Sequence, residues 1–137
     1  SAIWTFQTDL TKRLLAWSVL SILAGLYLWF TPNDFNRGFG IQCVLWGLVD
    51  AGIALFGARS AARRKSTADP KNEAKYIRRL LWINFGLDFL YILIGVSILH
   101  FLSAPFWQGT GWGIIVHGAF LLFFDLIHAL LVPAEVT

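Results

Sequence analysis

Three aspartates lie inside long apolar segments of the sequence, where ionisable side chains are rare. Asp50 falls within "FGIQCVLWGLVDAGIALFG", Asp88 within "LLWINFGLDFLYILIG" and Asp125 within "HGAFLLFFDLIHALL". A charged side chain at the centre of a membrane helix costs about 2.5–3.5 kcal/mol on insertion scales. Ionised carboxylates placed together would also repel one another, so we expect at least one of the three to be protonated or paired.

The composition indicates that lipid is the solvent around these segments. Of the 137 residues, 57% are hydrophobic and 14% are charged, and the mean hydropathy is +0.64. A water-soluble domain of this size cannot hide so much apolar surface, and each run approaches the ~20 residues that cross a bilayer as a helix. The sequence therefore predicts an all-α, up-down bundle of four transmembrane helices in one domain. The predicted spans are about 14–30, 38–58, 80–102 and 111–132.

Basic residues predict the orientation of the bundle. Eight of the eleven Lys and Arg fall in the segment 59–79, Lys12 and Arg13 flank the first span, and the opposite side has only Arg37. By the positive-inside rule, both termini and the loop 59–79 are cytoplasmic. Such a membrane-flanking cluster favours anionic lipid headgroups over nucleic acid. The residues predicted to contact headgroups are Arg59, Arg63, Arg64, Lys65, Arg78 and Arg79.

The segment "SAIWTFQTDLTKR" before the first span leaves two structures open. It is either an amphipathic lead-in, with Trp4, Phe6 and Leu10 in the membrane interface, or a frayed tail. In the first case Thr8 or Asp9 is the expected N-cap of the helix.

The three aspartates are predicted to share one layer of the bundle. Each lies eight or nine residues from the cytoplasmic end of its span, which is roughly 12–14 Å along a helix. Helical spacing places polar and small side chains on the same faces as the acids. On the third span these are Asn84, Asp88, Tyr91 and Gly95, on the fourth Asp125 and His128, and on the second Gly40, Cys43, Gly47, Asp50, Ala54 and Gly57. Small residues on one face allow close helix packing in lipid, so the acids are expected to point inward.

Two interpretations of this polar layer remain open. The side chains hold the helices together by hydrogen bonds, or they form an ion, proton or ligand site. The residues assigned to this candidate site are Asp50, Asn84, Asp88, Tyr91, Asp125 and His128, with Gln42, Trp46 and His117 as a second tier. Gln42 and His117 each precede an aspartate by eight residues, which hints at a repeat of two helix hairpins.

Cofactor and enzyme motifs are weak. Asp125 and His128 have the i, i+3 spacing of a metal pair, but no matching Glu-x-x-His accompanies them. One metal ion held by the three aspartates and His128, or haem or pigment on His100, His117 or His128, stays open as a minor alternative. Cys43 is the single cysteine, so neither a disulfide nor a thiolate cluster is expected. No nucleophile–base pair or phosphate loop is evident, so no cofactor is predicted and an enzyme is disfavoured.

Parts of the sequence resemble an uncharacterised bacterial family of small four-helix membrane proteins. "LLWINFGLDFLYILIG" fits that family's third-span pattern Asn-x-x-Leu-Asp-x-x-Tyr-x-x-x-Gly, and "GTGWGIIVHGAFLLFFD" is similar to its glycine-rich fourth span. "IQCVLWGLVDAGIA" resembles its second span, in which polar residues flank a Trp. This chain has His117 where the family has Gln, and Gly47 and Asp50 where it has Asn. The resemblance implies four spans in a bacterial cytoplasmic membrane and supplies no activity.

The function predicted from the sequence is that of an accessory or scaffold subunit. Such a subunit would pack through its helices in a homo-oligomer or a larger membrane complex. The alternative is a small ion, proton or solute transporter that uses the intramembrane carboxylates.

Overall fold

The computed structural model describes residues 1–134, which form four helices in an up-down bundle. The helices are α1 (Ala2–Trp29), α2 (Asp34–Arg64), α3 (Pro70–Phe101) and α4 (Pro105–Leu131). All four are long and apolar enough to cross a membrane, and residues 1–134 contain no strand. The all-α, four-helix fold predicted from the sequence is therefore confirmed.

The helices continue past the apolar spans into the basic segment 59–79. α2 ends only at Arg64, and the connection to α3 is the short stretch 65–69. Ala, Arg, Lys and Glu are good helix formers, so this polar sequence continues the helices rather than forming a long loop. Asp69 caps α3 by accepting a hydrogen bond from the Lys71 amide at 3.4 Å, and Pro70 occupies the first turn. We call this end of the bundle, where α1 and α3 begin, the basic end.

The lead-in segment is helical, because α1 starts at Ala2 with Ser1 as its N-cap residue. The expected N-cap at Thr8 or Asp9 is therefore wrong, and the Thr8 hydroxyl instead donates to the Trp4 carbonyl within the helix. Trp4 packs inside the bundle rather than in an interface. The apolar cluster that surrounds it at the basic end consists of Ile3, Trp4, Ala61, Ala74, Ile77, Leu81, Ala129 and Val132.

At the opposite end, α2 and α4 approach closely through a reciprocal pair of glycines. A Cβ atom on Gly38 would overlap the backbone of Phe106, and a Cβ atom on Gly109 would overlap the backbone of Phe35. Gly38 on α2 corresponds to Gly109 on α4, and Phe35 on α2 corresponds to Phe106 on α4, so the two contacts are reciprocal. α2 and α4 are thus related by an approximate two-fold axis that runs parallel to the helices.

The same relation holds within each hairpin. Gly25 packs against Gly40 between α1 and α2, and Gly95 packs against Gly111 between α3 and α4. The chain is therefore built from two similar helix hairpins, as the repeat in the sequence suggested. The alignment of the two hairpins differs by one helical turn from the one that the sequence suggested. The position equivalent to His117 is Trp46 and not Gln42. The backbone contacts of the glycines set this register, whereas the spacing of polar residues does not.

The interior at mid-height is polar and small, and the exterior is apolar. Large side chains such as Phe56 and Phe123 are exposed on the outer surface of the helices. The buried polar side chains of α1 to α4 in this central region are Ser18, Ser21, Asp50, Asp88, His117 and Asp125. Small and polar residues between helices, with apolar residues outside, are typical of bundles dissolved in lipid.

Candidate functional site

The three aspartates of α2, α3 and α4 meet inside the bundle. Asp50 is 1% exposed, Asp88 2% and Asp125 7%. The Asp88 and Asp125 carboxyl groups lie close enough to each other to interact directly, and Asp50 interacts electrostatically with both. Three ionised carboxylates this close together would repel one another. Oδ2 of Asp50 and Oδ2 of Asp88 have no hydrogen-bond partner in the described structure.

The internal two-fold axis does not generate this cluster. The position equivalent to Asp88 in the first hairpin is Ser18, whose hydroxyl donates to the Leu14 carbonyl of its own helix. The position equivalent to Asp125 is the buried Ala54. The acidic cluster is therefore an asymmetric feature placed on a nearly symmetric backbone.

His117 of α4 lies beside aromatic rings of α1 and α2. It is 1% exposed, and its ring centroid lies 5.5 Å from that of Trp17 and 6.4 Å from that of Trp46. The Ser21 hydroxyl donates to the Cys43 carbonyl at 2.6 Å and lies 3.5 Å from His117 Nε2. Because the Ser21 proton is already used, Nε2 donates to Ser21, and Nδ1 is left as a buried acceptor without a partner.

His128 faces α1 instead of the acids with which it was predicted to group. Its Nδ1 lies 2.7 Å from the Phe124 carbonyl and its Nε2 lies 3.1 Å from Arg13 Nη1. Nδ1 donates to the carbonyl, so Nε2 accepts from the guanidinium, and the ring is neutral. The rings of Phe6 and Phe124 lie beside the imidazole at 5.9 and 4.1 Å. His128 thus links α4 to α1 nearer the basic end.

Tyr91, Trp46 and Gln42 line a groove between α2 and α3. The Tyr91 ring meets the Trp46 indole edge-on, with centroids 4.9 Å apart. The groove, which we call the α2–α3 groove, has a volume of about 320 Å³. Asn84, the remaining predicted residue, is half-buried, and its side chain makes no hydrogen bond within residues 1–134.

The prediction from sequence missed the contribution of α1. Arg13, Trp17, Ser18 and Ser21 all contact or flank the polar interior, yet the first span was read as an ordinary apolar helix. A signal was present, because Leu14, Ser18, Ser21 and Gly25 repeat the 4, 3, 4 spacing of the four face residues of α3. That set on α3 is Asn84, Asp88, Tyr91 and Gly95.

A buried ion pair at the basic end was also missed. Glu73 is 3% exposed and accepts from Arg64 Nη2 at 2.9 Å and Nε at 3.1 Å. Gln7 of α1 donates to the same carboxylate at 3.1 Å, and the Arg64 guanidinium lies 5.0 Å from the Tyr76 ring centroid. Arg64 was predicted to meet lipid headgroups, but it is held here by intramolecular partners. Of the other cations in that prediction, Arg59, Arg63, Lys65 and Arg79 are exposed and Arg78 is half-buried.

Among the described residues, the acids do not converge as metal ligands do. Within residues 1–134, no group of three or more His, Cys, Asp or Glu side chains converges in a way that would hold an ion. The geometry of the described residues therefore gives no support to a metal ion bound jointly by the aspartates and His128.

Together, the fold and its buried polar residues define a four-helix, all-α protein with helices suited to a membrane. The chain belongs to DUF6992, a family of unknown function, whose match covers residues 13–126. The match takes in all of α2 and α3, and it confirms the resemblance to a family without an assigned activity. No curated protein and no solved structure matches the chain.

Proposed function

We propose that the protein is a multipass protein of a bacterial cytoplasmic membrane, with both termini and the 65–69 connection in the cytoplasm. Four helices of spanning length support the membrane. The bias of basic residues toward one end of the bundle supports the orientation. The exposed cations Arg59, Arg63, Lys65 and Arg79 would then lie at the level of anionic headgroups.

Within this membrane, the protein is an accessory or scaffold subunit that packs through its helices in a homo-oligomer or a larger complex. The observation that carries this role is the use of buried polar groups between helices, such as the Ser21 hydroxyl of α1, which donates to the Cys43 carbonyl of α2 at 2.6 Å. Such contacts hold helices together, as polar groups do in membrane bundles. His128 and Arg13 do the same between α4 and α1.

The role is tested by measuring the assembly state in a native-like bilayer. Protein extracted with its surrounding lipid is analysed by native mass spectrometry and by cross-linking in intact membranes. We expect a defined homo-oligomer or a reproducible complex with another membrane protein. A protein that is monomeric and free of partners under both conditions contradicts a scaffold role.

A second candidate is a small proton, ion or solute transporter, because buried polar atoms in the interior lack partners. Asp50 Oδ2, Asp88 Oδ2 and His117 Nδ1 are all buried without a hydrogen bond in the described structure. Unpaired buried polar atoms are costly and call for an explanation, and intramembrane acids and histidines commonly mark ion or proton paths.

Transport is tested by measuring the flux of protons, ions or small solutes into liposomes that contain the purified protein. The triple variant D50N, D88N and D125N keeps the side-chain shapes and removes the acids, and Ser97→Ala on the exposed face of α3 is the matched control. Loss of flux in the triple variant alone supports transport. Flux that survives in the triple variant, or its absence in the unmodified protein, rules out transport through the acids.

A further inference from the structure

The α2–α3 groove combines an apolar lining with uncharged hydrogen-bonding groups. Gln42 and Trp46 line it from α2, Tyr91 lines it from α3, and four aliphatic side chains complete it. No charged side chain contributes to the lining. Small-molecule sites typically have this composition, with apolar walls and a few polar groups that fix orientation.

The polar groups of the groove have no hydrogen-bond partner among the described residues. The Gln42 amide, the Tyr91 hydroxyl and the Trp46 indole N–H make no hydrogen bond within residues 1–134. In lipid, no water is at hand to satisfy these groups, so an unpaired donor there is unfavourable. All three groups are able to donate, so a bound molecule that carries acceptors would satisfy them.

The walls of the groove are held in place by the bundle. The Gln42 stem packs against Gly113, where a Cβ atom would lie 2.7 Å from Gln42 Cβ and 3.1 Å from Cγ. The Trp46 indole stacks on His117 with an interplanar angle of 8°. The polar ends of Gln42 and Trp46 are thus presented by stems that the neighbouring helix supports.

The equivalent region across the two-fold axis is filled. The position equivalent to Val49 of the groove is Phe120, and the Trp17 ring stacks on Phe120 with centroids 3.7 Å apart. The position equivalent to Tyr91 is Ser21, whose hydroxyl is already bonded to the Cys43 carbonyl. The two hairpins share a backbone register, yet aromatic packing closes one side and leaves the other open.

We propose that the α2–α3 groove binds a neutral lipid-phase molecule with a planar, carbonyl-bearing ring, of the isoprenoid quinone class. The ring lies against Trp46 and Tyr91, Gln42 and Tyr91 donate to its carbonyl oxygens, and its apolar tail leaves toward the lipid. The groove volume of about 320 Å³ suits one ring head and not a helix of a partner protein. This site rests on the membrane placement proposed above and requires neither the scaffold role nor transport.

The experiment uses full-length protein in phosphatidylcholine nanodiscs and decylubiquinone as the probe. The midpoint of thermal unfolding is followed while the mole fraction of quinone in the bilayer rises. We expect a saturable increase in the midpoint for the unmodified protein. Tyr91→Phe and Gln42→Met each remove one donor and keep the shape, so each is expected to need about threefold to tenfold more quinone for half-saturation. Tyr27→Phe removes an exposed hydroxyl on α1 and is the matched control, with no change expected.

Several outcomes overturn the proposal. One is a half-saturation point that is the same for Tyr91→Phe, Gln42→Met and Tyr27→Phe. Another is equal stabilisation by decylbenzene, which has the ring and tail without carbonyls and would make the groove a general acyl-chain contact. Circular dichroism confirms that each variant is folded before titration. Protein that fails to enter nanodiscs counts against the membrane placement, whereas protein that enters without a quinone response counts against the site alone.

Discussion

The close contact between α2 and α4 gives the sharpest test of the structure. Gly38 and Gly109 each face backbone of the opposite helix, and a Cβ at Gly109 would lie 2.8 Å from the Phe35 carbonyl carbon. Ordinary contacts of a Cβ start near 3.4 Å. Replacing either glycine by alanine therefore forces the two helices apart by at least half an ångström. Gly86 of α3 has no atom within 4 Å of the same added Cβ and provides the matched control.

The expected difference in unfolding free energy follows from comparing Gly38→Ala with Gly86→Ala. Alanine stabilises a helix interior by about 0.5–1 kcal/mol relative to glycine, and this gain applies to Gly38→Ala and Gly86→Ala alike. Overpacking costs about 1–3 kcal/mol and applies only where the added methyl meets a neighbour. Gly38→Ala should thus be about 1–3 kcal/mol less stable than Gly86→Ala. Gly109→Ala should match Gly38→Ala, because the two contacts are related by the internal two-fold axis.

The assay is unfolding of the purified protein in mixed micelles of rising dodecyl sulfate content, followed by far-ultraviolet circular dichroism. The double variant Gly38→Ala with Gly109→Ala should cost less than the sum of the single changes, since one separation of the helices relieves both clashes. Equal unfolding midpoints for Gly38→Ala and Gly86→Ala would refute the close approach of α2 and α4. A fully additive double variant would show that the two glycines do not share one interface.

Three further predictions concern the polar contacts. Arg64→Ala leaves the buried Glu73 carboxylate without its main partner and should destabilise the protein by about 1–3 kcal/mol in the same assay. In a Glu73→Gln background, the same substitution should lower the unfolding free energy clearly less. Gln108 donates to two carbonyls at the end of α3, so Gln108→Ala should remove about 1 kcal/mol and raise amide exchange at residues 99–103 by mass spectrometry, with exchange at 70–80 unchanged. Asp88→Asn retains a hydrogen-bond donor for Asp125 and should change the unfolding free energy by under about 1 kcal/mol. Asp88→Leu removes that donor and should lower the unfolding free energy by up to about 1.7 kcal/mol. Equal losses for the two variants would show that the carboxyl pair is not a stabilising contact.

Much of the fold follows from features that are local in the sequence. Four apolar runs of spanning length, ended by Pro or by basic residues, predict four helices because lipid leaves backbone groups no other partners. The spacing of small residues around Asp50 predicted its inward orientation, and Asp50 is indeed buried beside Gly47. The basic segment 59–79 was predicted to be a loop because of its charge, but Ala, Arg, Lys and Glu are good helix formers, and α2 continues to Arg64.

The arrangement of the candidate site was less accessible from the sequence. Depth along a helix grouped the three aspartates, and the structure brings their side chains together. The direction in which each side chain leaves its helix separates other predicted site residues from the aspartates. His128 is only three residues from Asp125, and yet its ring faces Arg13 of α1. Asn84 is one turn from Asp88 and makes no hydrogen bond within the described chain.

The sequence by itself predicted lipid as the solvent, and it determined how many helices the chain forms and that the three aspartates lie inside them. These properties depend on composition and on positions within one helix, and the sequence-based reasoning rests on the cost of exposing polar groups to lipid. Only the tertiary structure decided which helices touch, since that depends on where glycine backbones can approach, as Gly38 and Gly109 do. It also decided that Trp17 closes one side of the bundle and that Trp46 and Tyr91 leave the other open, because side-chain packing between hairpins has no counterpart in local sequence.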